Sequence, residues 1–420
     1  MLVNMHVGQD NFDISQIDVS LFNIYKGDIK YIKSIGKEVF DFVGIILSDK
    51  RNLVVFPKHF YSENQLEVMN NAGNVNQRDV KLLFDVMMKY MDSSKTKAKA
   101  NRHFGFEPEF KSDYPFAPFF AIYKYYQHFG VYRENTMEIK PNISGDIAWK
   151  QTIQKSNVII SEGNILYSPL YKKRKRTYNV FLSECMVFVI NHTIKSFPLF
   201  INLPVINSYR TTFDFLKYRD YTINQLRLLR NRIFKDADKS LVDNLIDFFE
   251  QYSKSSQGGE VHIKINYFDR IWEEMVEIYL NDYFQGVDEI NNKLIFNKSF
   301  NASRITFTSK EFEVDVSPHK FKIRLDHFAK SNDAIFIFDS KYYYKVNDMN
   351  YKQFSYNELL RGKFEGDKHI YSALILPGDV SNSSLHFFLS PHYRGNRTKG
   401  LKIIEHYLNV QEVMMHYVSS

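Results

Sequence analysis

Three residues in the last quarter of the chain bring carboxylate and amine chemistry together: Asp326, Asp339 and Lys341. Asp339 and Lys341 stand two apart in the run AIFIFDSKYYY, Ala334 to Tyr344. In a strand, where side chains alternate, they emerge on the face that also carries Ile335 and Ile337. A charged pair beside an apolar core needs ligands or tight pairing to offset its desolvation. One polar turn upstream, FKIRLDHF, Phe321 to Phe328, is a second strand candidate that brings Asp326 alongside. Two carboxylates suit a hard cation such as Mg²⁺, which takes oxygen ligands and keeps water positions open. Such a cation polarises a phosphodiester, while Lys341 would orient the attacking water or stabilise developing negative charge. A bare Asp-x-Lys is also a common structural salt bridge. The added upstream aspartate, the apolar strand register, a glutamate-bearing helix before and a helix after favour the catalytic reading.

That preceding helix is predicted over Asn266 to Tyr283, where Phe268, Ile271, Trp272, Met275, Ile278 and Tyr279 share one broad side. Glu273, Glu274 and Glu277 occupy the rest, so the helix can offer a carboxylate at its border. At 3.6 residues per turn Glu274 lies closer to the apolar face than Glu273. His327 follows Asp326 and alternates to the other face, and neither it nor His319 has zinc-ligand spacing.

The rest of the chain predicts several modules. With 420 residues it exceeds what one hydrophobic core usually organises. The run Asp41 to Phe60 reads as strand, turn and strand bordered by Pro57, and Asn76 to Tyr90 as an amphipathic helix. Trp149 is expected as a packing anchor within the turn-rich entry Pro141 to Ile153. YKKRKRT, Tyr171 to Thr177, is a dense positive hairpin or loop, suited either to phosphates or simply to water. Apolar positions from Leu226 to Phe249 call for two helices or one bent helix, and QYSKSSQGGE after them is the best linker. The expected fold class is multidomain α+β: a β-rich and helical amino-terminal module over 1–135, a mixed middle domain with carboxy-terminal helices over 136–255, and a carboxy-terminal α/β domain with a central mixed sheet over 256–420. Leu374 to Leu376 and Leu385 to Leu389 supply later strands.

A net charge of +7 permits a polyanionic partner without requiring one. The single cysteine, Cys185, lies in an apolar run and reads as a buried small hydrophobe. The opening lacks the basic and apolar segments of a secretion signal, and no stretch approaches the roughly 18 apolar residues that cross a bilayer, which predicts a cytoplasmic protein without membrane association.

The order of helix glutamate, strand aspartate and Asp339-Ser340-Lys341-Tyr342 resembles the PD-(D/E)xK nuclease superfamily. The surrounding text is more narrowly similar to the LlaJI type of restriction endonuclease, related to McrC nuclease subunits. It includes Phe42, Val43 and Gly44 before Phe56, Pro57 and Lys58; Gly145 to Trp149 before Lys150, Thr152 and Ile153; and Trp272 and Glu273 before Met275. The resemblance implies a carboxy-terminal PD-(D/E)xK nuclease domain, with Asp326 and Asp339 as Mg²⁺ ligands, Lys341 as catalytic lysine and Glu273 as a further metal-site carboxylate. Glu273 and Glu274 thus remain alternatives, with Glu277 third. Leu325 stands where the superfamily name has proline, a backbone-shaping position that contributes no ligand. The family's Lys-Gln pair before a tyrosine, on the helix after the lysine, is sought at Lys368 and His369 before Tyr371, with altered spacing.

The same resemblance implies a restriction endonuclease subunit cutting double-stranded DNA under a McrB-like AAA+ NTPase, GTP-dependent by analogy. No G-x-x-x-x-G-K-[ST] loop occurs in the chain, so an ordinary P-loop motor has to come from elsewhere. The alternative is a catalytically inactive DNA-binding or assembly subunit of a defence complex.

Overall fold

The computed structural model describes residues 5–420 except 16, 23, 26, 34–35, 49–50, 74, 93–109, 113, 179, 199, 202, 208–212, 256–259, 300–304, 365–368 and 394–399. Its architecture is mixed α+β, with several sheets and helices. The chain divides into two compact units, one of Met1–Tyr114 with Ser255–Ser420 and one of Pro115–Lys254.

In the first unit the amino-terminal stretch runs β1 (Met5–Gln9), β2 (Ile29–Ile32), β3 (Lys37–Phe40), β4 (Val43–Ser48), β5 (Asn52–Phe56), α1 (Glu63–Ala72), α2 (Gln77–Asp92) and β6 (Phe110–Ser112). The strand, turn and strand expected over Asp41 to Phe60 are β4 and β5, paired antiparallel, and the chain leaves the sheet at Pro57, which has no N–H to donate. Gly44 is required by close approach: a Cβ there would stand 2.2 Å from the Ile263 carbonyl oxygen of the neighbouring strand. α2 matches the amphipathic reading, burying Val80, Leu83, Phe84 and Met87.

The second unit carries α3 (Phe116–Phe129), β7 (Glu134–Pro141), β8 (Asp146–Ile147), α4 (Trp149–Lys155), β9 (Asn157–Ser161), β10 (Asn164–Ser168), β11 (Tyr171–Tyr178), α5 (Phe181–Ser196), α6 (Arg219–Arg230) and α7 (Asp236–Ser255). The basic run is strand β11, paired antiparallel along β7, with Arg174 held 3.4 Å from Glu138. Two helices, α6 and α7, hold most of the apolar positions from Leu226 to Phe249, while Ile233 lies between them. Cys185 is fully buried in α5. The expectation for Trp149 is corrected: it opens α4 and is 56% exposed, while the same helix buries Thr152. The serine and glycine linker begins inside α7, and its remainder, 256–259, lies outside the described residues.

Back in the first unit follow β12 (Glu260–Ile265), α8 (Phe268–Tyr283), β13 (Phe284–Asp288), β14 (Lys293–Phe296), β15 (Thr308–Glu313), β16 (Lys322–Lys330), β17 (Ala334–Ser340), α9 (Tyr351–Lys363), β18 (His369–Gly378), β19 (Asn382–Phe388), β20 (Lys402–Asn409) and α10 (Val410–Ser419). β12 enters the amino-terminal sheet between β4 and β6, giving the order β1-β5-β4-β12-β6. A six-stranded sheet has the order β15-β16-β17-β18-β20-β19. β17, β18 and β20 are parallel and the other pairs antiparallel, so this sheet is mixed. Both faces of β17 are covered, which explains an apolar run instead of alternation. Ile335 and Ile337 pack with Leu325, Phe328 and Leu360, whereas Phe336 and Phe338 pack on Phe284 and Phe307. No helix among the described residues is long and apolar enough to cross a membrane.

Candidate active site

β17 ends at Ser340, and its last buried residues deliver Asp339 to the sheet end with only 2% exposure. β16 pairs His327 with Phe338, so Asp326 and Asp339 are the next facing positions. Between Thr308↔Phe328 and Lys310↔Leu325 the neighbouring β15 advances two residues while β16 advances three. The extra residue of β16 therefore falls at Asp326–His327, a bulge of the kind that re-aims a side chain. His327 turns the other way and meets the Ser340 hydroxyl at 2.6 Å, as alternation implied.

Asp326 and Asp339 touch through a carboxyl–carboxylate hydrogen bond. Lys341 Nζ lies 2.5 Å from Asp339 Oδ2 and Lys352 Nζ 3.2 Å from Oδ1. Burial, then Asp339 and then Glu273 push the Asp326 carboxyl well above the usual carboxylate range. In Asp339 burial acts in the same sense, but the hydrogen bond from Asp326 and the charges of Lys341 and Lys352 outweigh it and hold the group low. Two adjacent carboxylates, Asp326 half-buried and Asp339 buried, do not readily ionise together, so the pair favours a single shared proton.

The helix glutamates separate in space. Glu274 accepts from the Tyr417 hydroxyl at 2.8 Å, on the side packed against α10. Glu273 faces Asp326 closely enough to act on it electrostatically and accepts from Arg324 Nη2 at 3.2 Å. The structure therefore gathers Asp326, Asp339 and Lys341 tightly, with Glu273 at their border. Trp272, next to it, is buried and donates to the Ile375 carbonyl, which ties α8 to β18.

The residue that sequence reasoning missed is Lys352. Asn350 caps α9 by accepting from the Gln353 N–H at 2.8 Å, which places Lys352 and Gln353 in the first turn. A lysine there opposes the helix dipole, and no acidic residue of that turn relieves it. Burial disfavours the Lys352 ammonium, yet Asp339 and Asp326 more than offset this and raise its pKa. The fully buried Gln353 donates its side-chain N–H to the Ile337 carbonyl, two residues before Asp339. On the helix that follows Lys341 a Lys-Gln pair stands at Lys352–Gln353, with Tyr356 three residues on, whereas Lys368 and His369 come after its end at Lys363. Lys368 lies outside the described residues. His369 begins β18 and faces Ala334, whereas Asp339 faces Leu374, five positions along and roughly 16 Å away. The legible signal was NYKQ itself: an N-cap asparagine three residues before a glutamine.

Among the described residues no group of three or more His, Cys, Asp and Glu side chains is gathered to hold a metal ion. The donor chemistry nevertheless fits Mg²⁺, which is bound through one or two carboxylates and keeps several waters. Asp339 Oδ2 is buried and accepts no aligned hydrogen bond despite the nearby ammonium. A divalent cation would take the place of the shared proton.

Among solved structures a distant match is a chain in a half-complex from a tetradecameric assembly of Thermococcus gammatolerans McrB AAA+ hexamers with bound McrC. The TM-score is 0.41 at 11% identity, over 99% of each chain. Among curated proteins none matches the sequence. A model of the LlaJI restriction endonuclease matches residues 42–394, most of the chain, and the protein belongs to that family.

Proposed function

We propose that this chain is the Mg²⁺-dependent endodeoxyribonuclease subunit of a cytoplasmic restriction complex, built on a PD-(D/E)xK domain. The observation that carries the reading is the close pair of half-buried Asp326 and buried Asp339, flanked by two lysines at the end of an apolar strand, in a member of a restriction endonuclease family. Asp326 and Asp339 would hold Mg²⁺, with Glu273 adding negative charge at the border. The cation supplies Lewis acidity toward the scissile phosphodiester. Lys341 orients the attacking water and faces the charge that develops on the phosphate. Lys352 neutralises Asp339 from the helix side and keeps its carboxylate ionised, while Gln353 locks α9 onto the backbone of β17.

The partner we infer is a McrB-like AAA+ NTPase, driven by GTP, that selects double-stranded DNA and licenses cutting. The sequence resemblance to McrC subunits and the lack of a P-loop motif support this. So does the hairpin β9–β10 in the second unit, where Ile160 is 75% and Ile165 60% exposed, a surface suited to a protein partner. The test follows supercoiled DNA with this chain alone, the partner alone, and both, with Mg²⁺ and with GTP, ATP or neither. Cleavage only in the complete nucleotide-containing mixture is expected. Full, site-specific cutting by this chain alone removes the partner from the reading. Tight DNA association with no metal-dependent product in any mixture replaces it with a catalytically inactive binding or assembly subunit.

A further inference from the structure

β17 stops at Ser340, and Lys341 keeps one sheet contact, its N–H donating to the Ile375 carbonyl at 2.9 Å. Tyr342, Tyr343 and Tyr344 belong to no strand. Tyr342 and Tyr344 are held instead by residues 284 to 335 positions away in sequence. The Lys58 backbone N–H donates to the Tyr342 hydroxyl at 2.9 Å, and Lys58 Nζ donates to the Tyr342 carbonyl at 2.9 Å. The same ammonium lies 4.2 Å from the centre of the Tyr342 ring and 3.6 Å from Asp10 Oδ2. Two residues on, the Tyr344 hydroxyl donates to the Asp10 carbonyl at 2.9 Å and accepts from Gln9 Nε2 at 3.0 Å. The His59 ring meets the Tyr344 carbonyl at 3.0 Å.

These contacts are poorly explained as docking alone. Lys58 is 8% and Asp10 6% exposed, and an apolar pair of similar volume ordinarily stabilises such a junction as well or better. What an ammonium and a hydroxyl provide that an apolar pair does not is direction. Lys58 bonds the main-chain carbonyl of the residue directly after Lys341, so it sets the backbone from which that side chain projects. A displacement of about 1 Å at a reacting group lowers rate by about a hundredfold, so a strand end carrying such a group needs a fixed backbone.

We propose that Lys58 and Asp10, with Gln9, form a positioning clamp by which the amino-terminal module fixes the backbone beyond Lys341. The clamp bears on the reaction only insofar as Lys341 acts as proposed above, and its structural half is measurable without cleavage. Full-length wild type, Lys58→Met, the milder Tyr342→Phe and Asp339→Asn are compared by hydrogen exchange, by DNA affinity and by cleavage of supercoiled plasmid in the presence of Mg²⁺ and the NTPase partner. In Lys58→Met, exchange in the peptide spanning Lys341–Lys345 rises about tenfold while β18 keeps its protection. Turnover falls about tenfold or more with DNA affinity within twofold of wild type. Tyr342→Phe, which removes the hydroxyl that accepts from the Lys58 N–H and bonds the Asp10 carboxylate but keeps the ring, moves both readouts the same way by less, and it carries the test if Lys58→Met does not fold. Unchanged exchange in that peptide overturns the clamp. So does faster exchange with wild-type turnover in the Lys58 variant while Asp339→Asn is dead. If wild type and Asp339→Asn cut alike, the nuclease reading fails, and the exchange result still decides the clamp.

Discussion

The end of β17 and the hairpin β9–β10 break the ordinary rule of burial in opposite directions. At the first, two carboxylates and two ammonium groups are drawn against an apolar core, with Asp339 2% exposed. At the second, Ile159, Ile160, Ile165 and Leu166 stand in water on both faces of a two-stranded ribbon, a form that has little stability of its own. Neither arrangement is favoured by folding alone. Buried charge suffers desolvation, and exposed aliphatic surface forgoes the roughly 25 cal/mol per Å² that burial would contribute. The difference lies in what would relieve each under the proposed function: a cation and a polar reactant at the charged cluster, a macromolecular surface at the ribbon. Mutations at the two places should separate chemistry from assembly.

The largest effect is expected at the charged cluster. Asp339→Asn removes a charge with little change of volume and should reduce Mg²⁺-dependent cleavage by about a thousandfold or more, about 4 kcal/mol of barrier. A folded variant that cuts at the wild-type rate with its partner overturns the assignment.

Next in size is a pH effect on stability at Asp10, a buried acid of the first unit. Burial raises its pKa from 3.8 to about 6, against the opposing pull of Lys58. The folded state thus holds this proton more tightly than the unfolded chain. Its contribution is complete below about pH 4 and is lost as pH rises through about 6, with a ceiling of roughly 3 kcal/mol. The unfolding free energy of wild type minus that of Asp10→Asn should therefore decline between pH 4 and 7. A difference that grows over that interval contradicts the burial argument.

A smaller effect is expected at Lys352. Lys352→Met deletes one of the two cations on Asp339 and leaves Lys341 at 2.5 Å. Turnover should drop about ten- to a hundredfold, less than for Asp339→Asn, since one counter-charge remains. Steady-state kinetics at saturating Mg²⁺ measures it. A loss as large as that of Asp339→Asn would show the two lysines acting as one unit.

Much of this region was legible in the sequence because local rules and the fold agree there. The two-residue spacing of Asp339 and Lys341 and the strand pairing through Phe338 follow from period and turn length. What escaped was set by tertiary structure. The bulge at Asp326–His327 arises from pairing with β15, which no pattern in β16 announces. Lys352 sits where a helix disfavours a cation, and only the carboxylates across the gap make sense of it. Glu273 and Glu274 are neighbours on one helix, and Tyr417, more than a hundred residues on, is what draws Glu274 away. β12 completes a sheet begun more than two hundred residues earlier, a long-range pairing that periodicity cannot register. Trp149 misled for the converse reason, since its size argued for packing whereas the fold leaves it in water.

The smallest expected effect on stability belongs to the hairpin, and it sharpens the contrast most. Ile160 and Ile165 are direct partners across β9 and β10, so their side chains share one face of the ribbon. Their exposures of 75% and 60% mean that truncating them removes little buried contact. The double variant Ile160→Ser, Ile165→Ser should unfold within about 0.5 kcal/mol of wild type, the usual range for surface positions. If the face is where the NTPase docks, the same change deletes the centre of an interface, where single truncations commonly weaken binding by about 2 kcal/mol or more. Titrating partner into labelled chain should then show affinity reduced about thirtyfold or more, and nucleotide-dependent cleavage falling in proportion at limiting partner. Raising the partner concentration should restore it, which no substitution at Asp339 would allow. A variant that melts several degrees lower with partner affinity intact would instead make the ribbon a structural element of its own unit, and its exposed aliphatic face would no longer stand as the counterpart of the charged strand end.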